Sequence, residues 1–293
     1  MKGIVVINPH AGGGKGLTLG TRVRTHFRAS KHQLFFVEAT SLAESLIQVD
    51  AFCSEHSFEV LISIGGDGLI HDLLPTLIKY ELPLLIVPAG TGNDLARTLG
   101  LYKVKLPELL KLPLTREPVI LDLALVTHSS GTTPFIQILS TGFDSVVNER
   151  ANNFTLIKGK IKYILAVLLE VWRFRALKFT VTIDGVVQDR EAMLVCVANG
   201  TSYGGGMKIV PHARRDDQLL DVMVVDRVNP LRLLLVFPRV FFGTHTRHPK
   251  VHFYSGKEIT ITGDTQAFAD GEKISDLPIQ ISLSPDYLKV YSL

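Results

Sequence analysis

Short apolar runs alternate with amphipathic stretches through the first hundred residues, and this alternation constrains the fold more than any other feature. The apolar runs, read as strands, are residues 3–8, 33–38, 58–64 and 84–87. The stretches between and after them, read as helices, are residues 17–30, 42–55, 69–80 and 93–99. Strand–helix alternation is typical of a parallel sheet covered on both faces. We therefore predict an α/β domain with a parallel sheet over residues 1–120.

The pattern changes after residue 121, where alternating or apolar strands dominate. The predicted strands are residues 121–127, 135–141, 178–183, 192–199, 219–225, 251–254, 258–262, 266–269 and 288–291. Helices are predicted only near 156–173 and 230–243. This predicts a mainly antiparallel, β-sandwich-like domain over residues 121–293, and leaves open a return of the last strand to the first domain.

Two glycine-rich turns carry the strongest chemical signal, because each follows a predicted buried strand. They read GGDG at 65–68 and GTGND at 90–94. Ligands of open α/β sheets bind at the carboxyl ends of the strands, where glycines let the backbone approach a polyphosphate. The acids Asp67 and Asp94 would repel a polyphosphate without a cation, so they indicate magnesium or a hydroxyl nucleophile nearby.

A third glycine cluster, NPHAGGGK at 8–15, follows the first strand. It is similar to a phosphate loop but lacks the Ser or Thr of the Walker pattern after Lys15. We expect the three loops to converge on one edge of the sheet.

Composition excludes several classes of protein. A formal net charge of +3 is too small to indicate a nucleic-acid partner. The cysteines Cys53 and Cys196 match no zinc or redox spacing, so buried free thiols in a reducing cytoplasm are expected. The longest apolar runs, 161–172 and 231–242, fall short of the roughly 20 residues of a spanning helix.

The motifs together resemble those of the diacylglycerol kinase catalytic-domain family. Residues 64–72 are similar to its Gly-Gly-Asp-Gly signature, and 87–100 (VPAGTGNDLARTLG) to its second signature. Residues 199–221 are similar to its glycine-rich segment with the acidic turn that follows, and 270–272 (DGE) to its late catalytic motif. The resemblance covers nearly the whole chain and extends to soluble bacterial lipid kinases related to sphingosine and ceramide kinases.

The resemblance implies an ATP-dependent lipid kinase with Mg2+. Diacylglycerol, converted to phosphatidic acid, is the leading acceptor, and sphingoid bases, undecaprenol-like alcohols and phosphatidylglycerol stay open. It implies Glu272 as the base that deprotonates the lipid hydroxyl, with Asp270 beside it, and Asp94 in the catalytic network with Lys15. It implies a structural magnesium ion held by Asp217 and the carbonyls of Arg214 and Leu219. The residues that it implies for nucleotide binding are Asn8, Pro9, His10, Ala11, Gly12, Thr40, Gly65, Gly66, Asp67, Gly68, Leu69, Ile70, His71 and Thr91.

Four positions depart from the family pattern. Leu69 stands in place of Thr, His71 in place of Asn or a Glu-like polar group, and Asp72 in place of Glu. Gln218 replaces the glycine of the acidic turn, which puts the geometry of the metal site in question. The alternatives that stay open are a non-catalytic nucleotide- or lipid-binding regulator and a nicotinamide dinucleotide kinase. A Rossmann dehydrogenase fits less well, because the early loop lacks the spaced glycines.

A basic and apolar segment at 227–257 predicts contact with an anionic membrane. It has six Lys or Arg residues and no acid, and it contains the apolar stretch PLRLLLVF at 230–237. A second basic tract, 158–162, precedes the apolar run that ends at Trp172. Such segments are typical of interfacial helices, although core packing with a solvated basic face explains them equally well. We expect a cytoplasmic protein peripheral at the inner membrane face, and the sequence leaves a homodimer open.

Overall fold

The structure is a computed structural model that describes residues 1–37, 39, 41–154 and 160–293. The chain divides into two compact units, Met1–Leu121 with Asp286–Leu293, and Asp122–Pro285. Among the described residues, no helix is long and apolar enough to span a membrane.

The first unit contains four strands and six helices in the described ranges. The strands are β1 (Lys2–Ile7), β2 (Gln33–Phe36), β3 (Val60–Gly65) and β4 (Leu84–Pro88). The helices are α1 (Lys15–Phe27), α2 (Leu42–Glu55), α3 (Asp67–Lys79), α4 (Asp94–Thr98), α5 (Leu106–Leu109) and α6 (Leu112–Thr115). A 3-10 turn, Ala11–Gly13, precedes α1.

The strands of this unit form a parallel sheet in the order β2-β1-β3-β4. Every residue of β3 and β4 is buried, as expected for parallel strands covered on both faces. The end of the last strand of the chain also joins this sheet, where Val290 pairs in parallel with Leu84. The sheet therefore presents the carboxyl ends of β1, β3 and β4 at one edge.

The second unit is mainly β. Its strands are β5 (Val119–His128), β6 (Gly131–Phe135), β7 (Ile138–Gly142), β8 (Leu177–Ile183), β9 (Val186–Ala198), β10 (Leu220–Asp226), β11 (Val251–Gly256), β12 (Glu258–Gly263), β13 (Gln266–Ala269), β14 (Glu272–Asp276) and β15 (Ile279–Val290). Its helices are α7 (Phe143–Asn152), α8 (Lys160–Glu170) and α9 (Pro230–Val236), with 3-10 turns at Phe237–Phe241 and Thr244–Arg247.

Antiparallel pairing joins these strands in the order β14-β13-β7-β9-β8-β12-β15, with β10 between β9 and β11. Alternation along β9 sends Val195 and Val197 into one hydrophobic cluster, and Cys196 and Ala198 into another. The sheet is therefore covered on both faces. The predicted fold class, an α/β domain followed by an antiparallel β-rich domain, is confirmed.

Several element predictions for the second unit were wrong in detail. The single strand predicted at 135–141 is two strands, β6 and β7, and the residues between them donate hydrogen bonds to a side chain. Helix α7 was missed, because its sequence is more polar than that of α8. The helix predicted at 230–243 ends at Val236 and continues as a 3-10 turn that contains Pro238, which lacks the N–H that an α-helix needs. The helix predicted near 156–173 and the basic tract 158–162 begin partly outside the described residues.

Candidate functional site

The loop after β1 is packed against the ends of two neighbouring strands. The Asn8 N–H donates to the Ile64 carbonyl at 2.9 Å. A Cβ on Gly12 would lie 2.2 Å from the Ala89 carbonyl oxygen, and Gly12 has a left-handed φ of +56°. Only glycine fits this position, because the clash and the backbone conformation both exclude a side chain. The first loop is thus fixed beside the turn that follows β4.

The turns after β3 and β4 contact each other backbone to backbone. A Cβ on Gly90 would lie 2.6 Å from the Gly66 Cα, and one on Gly66 would lie 3.1 Å from the Gly90 Cα. The Gly90 N–H donates to the Gly65 carbonyl at 3.0 Å. The three glycine loops therefore converge at one edge of the sheet, where main-chain atoms rather than side chains form much of the surface.

Helix α4 is capped by the side chain of Asp67, the first residue of α3, and not by its own N-cap residue Asn93. The Asp67 carboxylate accepts hydrogen bonds from the N–H groups of Asp94 at 3.1 Å and Leu95 at 3.2 Å. Asn93 adopts a left-handed φ of +54°, and its side chain both accepts from the Gly90 N–H and donates to the Gly90 carbonyl. Asp67 therefore has a positioning role that the sequence did not suggest.

The residues assigned to nucleotide binding occupy different environments in this unit. His10 and Thr91 are exposed, whereas Leu69 and Ile70 are buried in the core. Leu69 packs on Gly65, where a Cβ would lie 2.7 Å from the leucine side chain, so its own side chain offers nothing polar to a ligand. The side chains of Leu69 and Ile70 therefore cannot contact a polar ligand, and the Ile70 N–H is already donated to the Gly66 carbonyl at 3.4 Å. Thr40 lies outside the described residues.

Asp94 is buried, with 3% of its surface exposed, in the first turn of α4. Lys15, the other predicted member of the charged network, is exposed at the start of α1. The burial of Asp94 favours a positioning role over direct contact with a substrate.

The late Asp-Gly-Glu motif forms the turn between β13 and β14 in the second unit. Asp270 has a left-handed φ of +52°, and its carboxylate accepts hydrogen bonds from the N–H groups of Ile136 (2.8 Å), Gln137 (2.8 Å) and Ile138 (3.2 Å). Three donors fix the orientation of this carboxylate and hold the link between β6 and β7. Glu272, two residues later, is exposed at the start of β14. The two acids of the motif therefore differ in environment: Asp270 is held by main-chain donors, whereas Glu272 is exposed to solvent.

A buried polar network surrounds Gln137, one of the three residues whose N–H groups donate to Asp270. Gln137 accepts a hydrogen bond from Arg215 through its side chain, and its carbonyl accepts from the N–H groups of Asn199 and Gly200 at 2.9 Å. A Cβ on Gly200 would lie 2.4 Å from the Gln137 side-chain oxygen, so a side chain there would have to displace Gln137 or Arg215. Burial lowers the pKa of Arg215 to about 10, and the negative charge of Asp270 opposes that shift. Arg215 therefore remains charged at neutral pH.

Sequence reasoning missed Gln137, Asn199 and Arg215 as members of a site. Asn199 and Arg215 lie inside the glycine-rich segment that carried the family resemblance, but nothing local marks them as contacts of residues 136–137. The Asn199 side chain donates to the carbonyls of Asp122 (2.7 Å) and Ile136 (3.2 Å), across more than 60 residues of sequence. Gly200 is the local feature that could have indicated a close approach of the chain at this point.

The loop assigned to a structural metal ion is a tight turn tied to Asp122. Gln218 has a left-handed φ of +57°, and its N–H donates to the Asp122 carboxylate at 2.9 Å. This conformation explains why glycine suits the position. Asp217 is exposed and accepts from the Leu219 N–H at 3.2 Å, while Asp216 pairs with Arg214 at 3.1 Å. The turn keeps its shape although Gln218 replaces glycine.

The donor set of this loop fits a hard cation. Among the described residues, no cluster of three or more His, Cys, Asp or Glu side chains forms a metal site. A metal here would depend on one carboxylate, that of Asp217, together with the main-chain carbonyls of Arg214 and Leu219. Oxygen ligands of this kind are those that Mg2+ and Ca2+ prefer.

Two family models match the chain in succession. Residues 2–126 match the diacylglycerol kinase catalytic domain, and residues 137–292 match the YegS C-terminal NAD kinase beta sandwich-like domain. The chain is 33% identical over 235 residues to a diacylglycerol kinase of Mycobacterium tuberculosis (strain ATCC 25618 / H37Rv), which covers 79% of this chain and 76% of that protein. It is 29% identical to the putative lipid kinase YtlR of Bacillus subtilis (strain 168), with 97% of both chains covered.

A solved structure shares the fold. The crystal structure of a putative diacylglycerol kinase from Bacillus anthracis str. Sterne superposes with a TM-score of 0.78 at 24% identity, covering 100% of this chain and 97% of that one. The sequence relatives and the family models agree with this fold. The chain therefore belongs to the diacylglycerol kinase catalytic-domain family of lipid kinases, phosphotransferases that act on a lipid hydroxyl group.

Proposed function

We propose that this lipid kinase uses ATP and Mg2+ to phosphorylate diacylglycerol, which gives phosphatidic acid. Nucleotide binding is supported by the close approach of Gly12 to Ala89 and of Gly66 to Gly90. Loops without side chains at these points leave main-chain N–H groups near an approaching polyphosphate. The name of the Mycobacterium tuberculosis relative supports diacylglycerol as the acceptor.

We assign the nucleotide to the first unit. Residues 8–12, 65–71 and 91 would contact it, with the main chain of 68–69 facing the phosphates at the start of α3. Helix α3 is 13 residues long, and the positive end of its dipole favours an anion at its N-terminus. Asp67 and Asp94 would shape the site by holding the second loop, because the Asp67 carboxylate already accepts two N–H groups of α4.

We assign the proton transfer to Glu272. Asp270 is committed to three main-chain donors, so moving it would disturb the link between β6 and β7. Glu272 is exposed on the adjacent strand position and can reach a substrate hydroxyl without breaking such contacts. Its carboxylate would take the proton of the lipid hydroxyl as that oxygen attacks the γ-phosphorus of ATP, and the bond from that phosphorus to the β–γ bridging oxygen would break to release ADP. Asp270 then acts as a positioning residue for the turn that carries Glu272.

We propose two magnesium-binding sites. One ion would accompany the nucleotide and neutralise charge that develops during phosphoryl transfer. The other would be structural, held by Asp217 and the carbonyls of Arg214 and Leu219. Through Gln218 and Asp122 that loop is connected to the hydrogen-bond network around Asn199 and Gln137, so an ion there would stabilise the surroundings of Asp270.

The direct test is transfer of radiolabelled phosphate from ATP to a panel of acceptors in mixed micelles. The panel contains diacylglycerol, a sphingoid base, phosphatidylglycerol and an undecaprenol-like alcohol, with NAD as the non-lipid acceptor. Labelled phosphatidic acid that disappears with Glu272→Gln supports the proposal. Transfer to NAD alone identifies a dinucleotide kinase instead, and ATP binding without transfer to any acceptor identifies a regulator.

A further inference from the structure

Arg215 is a buried arginine to which the proposed reaction gives no role. Only 8% of its surface is exposed, although it lies in the loop before β10 between the exposed residues Arg214 and Asp216. No carboxylate of the described residues lies within ion-pair distance of its guanidinium, whereas Arg214 forms an exposed pair with Asp216. Removing a charge from water without a direct counter-ion is costly, so the surrounding structure must supply the compensation.

The guanidinium of Arg215 contacts Gln137 and packs against the backbone at Gly200. Its Nη2 group donates to the side-chain oxygen of Gln137. A Cβ on Gly200 would lie 2.6 Å from Nη2 and 2.9 Å from Nε of the arginine. The Nε of Arg215 and the Nε2 of Gln137 are buried and have no hydrogen-bond partner among the residues that the structure describes. Hydrogen bonds therefore satisfy the buried charge only in part, and its remaining stabilisation must come from an anion at longer range.

Asp270 supplies that negative charge. Burial lowers the pKa of Arg215 to about 10, and the charge of Asp270 opposes this shift by stabilising the protonated guanidinium. Gln137 joins the two groups, because its main-chain N–H donates to the Asp270 carboxylate at 2.8 Å and its side-chain oxygen accepts from Arg215. One residue thus connects the anion to the buried cation.

The chain at residues 136–138 is fixed by contacts on both its N–H and its carbonyl groups. The three N–H groups donate to the Asp270 carboxylate, and the Asp270 N–H donates in return to the Ile138 carbonyl at 3.1 Å. The Gln137 carbonyl accepts two main-chain N–H groups from the turn after β9, each at 2.9 Å. A displacement of Gln137 would therefore displace Asp270, which lies two residues before Glu272 in the same turn.

We infer that Arg215 is a positioning residue for phosphoryl transfer, whose buried positive charge holds Gln137 and the Asp270 carboxylate in place and so fixes the turn that carries Glu272. The inference rests on the proposed function for the role of Glu272, whereas the placement of Asp270 by Arg215 does not depend on which residue is the base. Electrostatic attraction is stronger in a buried, low-dielectric surrounding than in water, so one such charge can fix a turn.

Two substitutions of Arg215 separate its charge from its hydrogen bond. Arg215→Lys keeps the charge and a donor, whereas Arg215→Gln keeps a donor and removes the charge. The matched control is Arg190→Gln, because Arg190 is half-buried in β9 and also donates to a glutamine side chain, that of Gln188, at 2.8 Å. The free energy of unfolding of Arg215→Gln should stay close to the wild-type value, since the desolvation cost of the guanidinium disappears together with its attraction to Asp270.

Hydrogen exchange followed by NMR measures the placement of Asp270 without an activity assay. The main-chain N–H groups of Ile136 and Gln137 both donate to the Asp270 carboxylate at 2.8 Å, which should protect them from exchange. In Arg215→Gln these two amides should exchange about tenfold faster, while the protected amides of β9 keep their wild-type rates. Arg215→Lys and Arg190→Gln should both resemble the wild type. Unchanged exchange at residues 136 and 137 in Arg215→Gln, or equally faster exchange throughout the second unit, overturns the inference.

Steady-state kinetics test whether this placement matters for the reaction. In Arg215→Gln the kcat for lipid phosphorylation should fall about tenfold with an unchanged KM for ATP, because a slightly displaced base acts less well in the transition state. Arg215→Lys should recover most of the turnover. If no lipid is phosphorylated but the amides respond as described, the proposed function fails and the placement of Asp270 by Arg215 stands. If transfer requires Glu272 but keeps its wild-type kcat in Arg215→Gln, the proposed function stands and the inference is wrong.

Discussion

The Asp67 carboxylate accepts the main-chain N–H of Asp94 at 3.1 Å, so an acid of the first signature caps the helix that begins in the second. The same carboxylate also accepts from Leu95 at 3.2 Å. Two loops that are separated by 27 residues are therefore held as one surface by one side chain.

Removing that cap should loosen the second loop and weaken nucleotide binding. Asp67→Ala is expected to lower the free energy of unfolding by about 1 kcal/mol, the usual value of a helix cap, and to raise the ATP dissociation constant severalfold. Denaturation and calorimetry measure the two effects. Asn229→Ala removes a comparable cap from α9, where Asn229 accepts from the Arg232 N–H at 2.8 Å, and serves as the control. Similar ATP affinities in both variants would show that Asp67 stabilises the helix only.

Gly12 and Gly13 differ in one physical respect and can be compared directly. Both have left-handed φ values, +56° and +69°, but a Cβ on Gly12 would meet the Ala89 oxygen whereas one on Gly13 meets nothing within 4 Å. Gly13→Ala should cost about 1 kcal/mol of stability from backbone strain alone. Gly12→Ala should cost more and should abolish ATP binding in calorimetry, because the first loop is displaced. Equal effects would mean that the approach to Ala89 is unimportant.

Local sequence patterns were sufficient to predict the bounds of helix α2 and the convergence of the glycine loops. Helix α2 begins after Ser41, whose side chain accepts from the Glu44 N–H at 3.2 Å, and its predicted bounds of 42–55 match the structure. The convergence of the glycine loops was also predictable, because parallel strands end at one edge. These are consequences of periodicity, capping and strand direction, which the sequence contains within a few residues.

Long-range polar contacts could not be derived in this way. Asp67 was interpreted as an acid for magnesium or a nucleophile, since its partners on α4 lie 27 and 28 residues away. The break between β6 and β7 exists because Asp270 takes the N–H groups of residues 136–138 from more than 130 residues away. Local strand propensity alone predicts one continuous strand over the apolar residues 135–141. Such contacts are decided by tertiary packing and not by neighbouring residues.

Substitutions of the two acids in the Asp-Gly-Glu turn should have different effects, one on turnover and the other on stability. Glu272→Gln should remove most turnover and leave both ATP affinity and stability close to wild type. Asp270→Asn should lower the free energy of unfolding by roughly 2 kcal/mol, because its amide group would face main-chain N–H donors. Steady-state kinetics and denaturant titration distinguish the two. Wild-type turnover in Glu272→Gln would exclude it as the base.

Asp216 and Asp217 provide a matched pair for the metal loop. Asp216 forms an exposed ion pair with Arg214, whereas Asp217 is the proposed ligand. Asp217→Ala should reduce the rise in Tm that MgCl2 produces, and Asp216→Ala should leave that rise intact, since an exposed pair contributes little. Gln218→Gly, which suits the left-handed φ of +57°, should retain or increase the rise. If neither alanine variant changes the magnesium response, no ion binds at this loop.

Membrane binding is expected to depend on exposed arginines beside α9. The structure reduces the effective charge of the segment 227–257, because Arg227 pairs with Glu191 at 3.1 Å and Lys250 lies 3.9 Å from Asp226. Arg232 and Arg239 are exposed and form no ion pair with any described residue of the chain. Together with Arg247 and Lys257, which are also exposed, they are charges that an anionic surface would meet, at roughly 1 kcal/mol for each basic residue.

The single tryptophan reports on this contact. Trp172 is 60% exposed at the end of α8, so lipids with brominated chains should quench its fluorescence when the protein binds vesicles. Quenching should increase with the content of anionic lipid and decrease with salt, as screening shortens the Debye length to about 3 Å at 1 M. Changing Arg232 and Arg239 together to Glu should reduce quenching and turnover on vesicles, while turnover of a short-chain soluble acceptor stays near wild type. Loss of both activities would place these arginines in the fold or the active site, and full quenching in the variant would locate the membrane contact elsewhere.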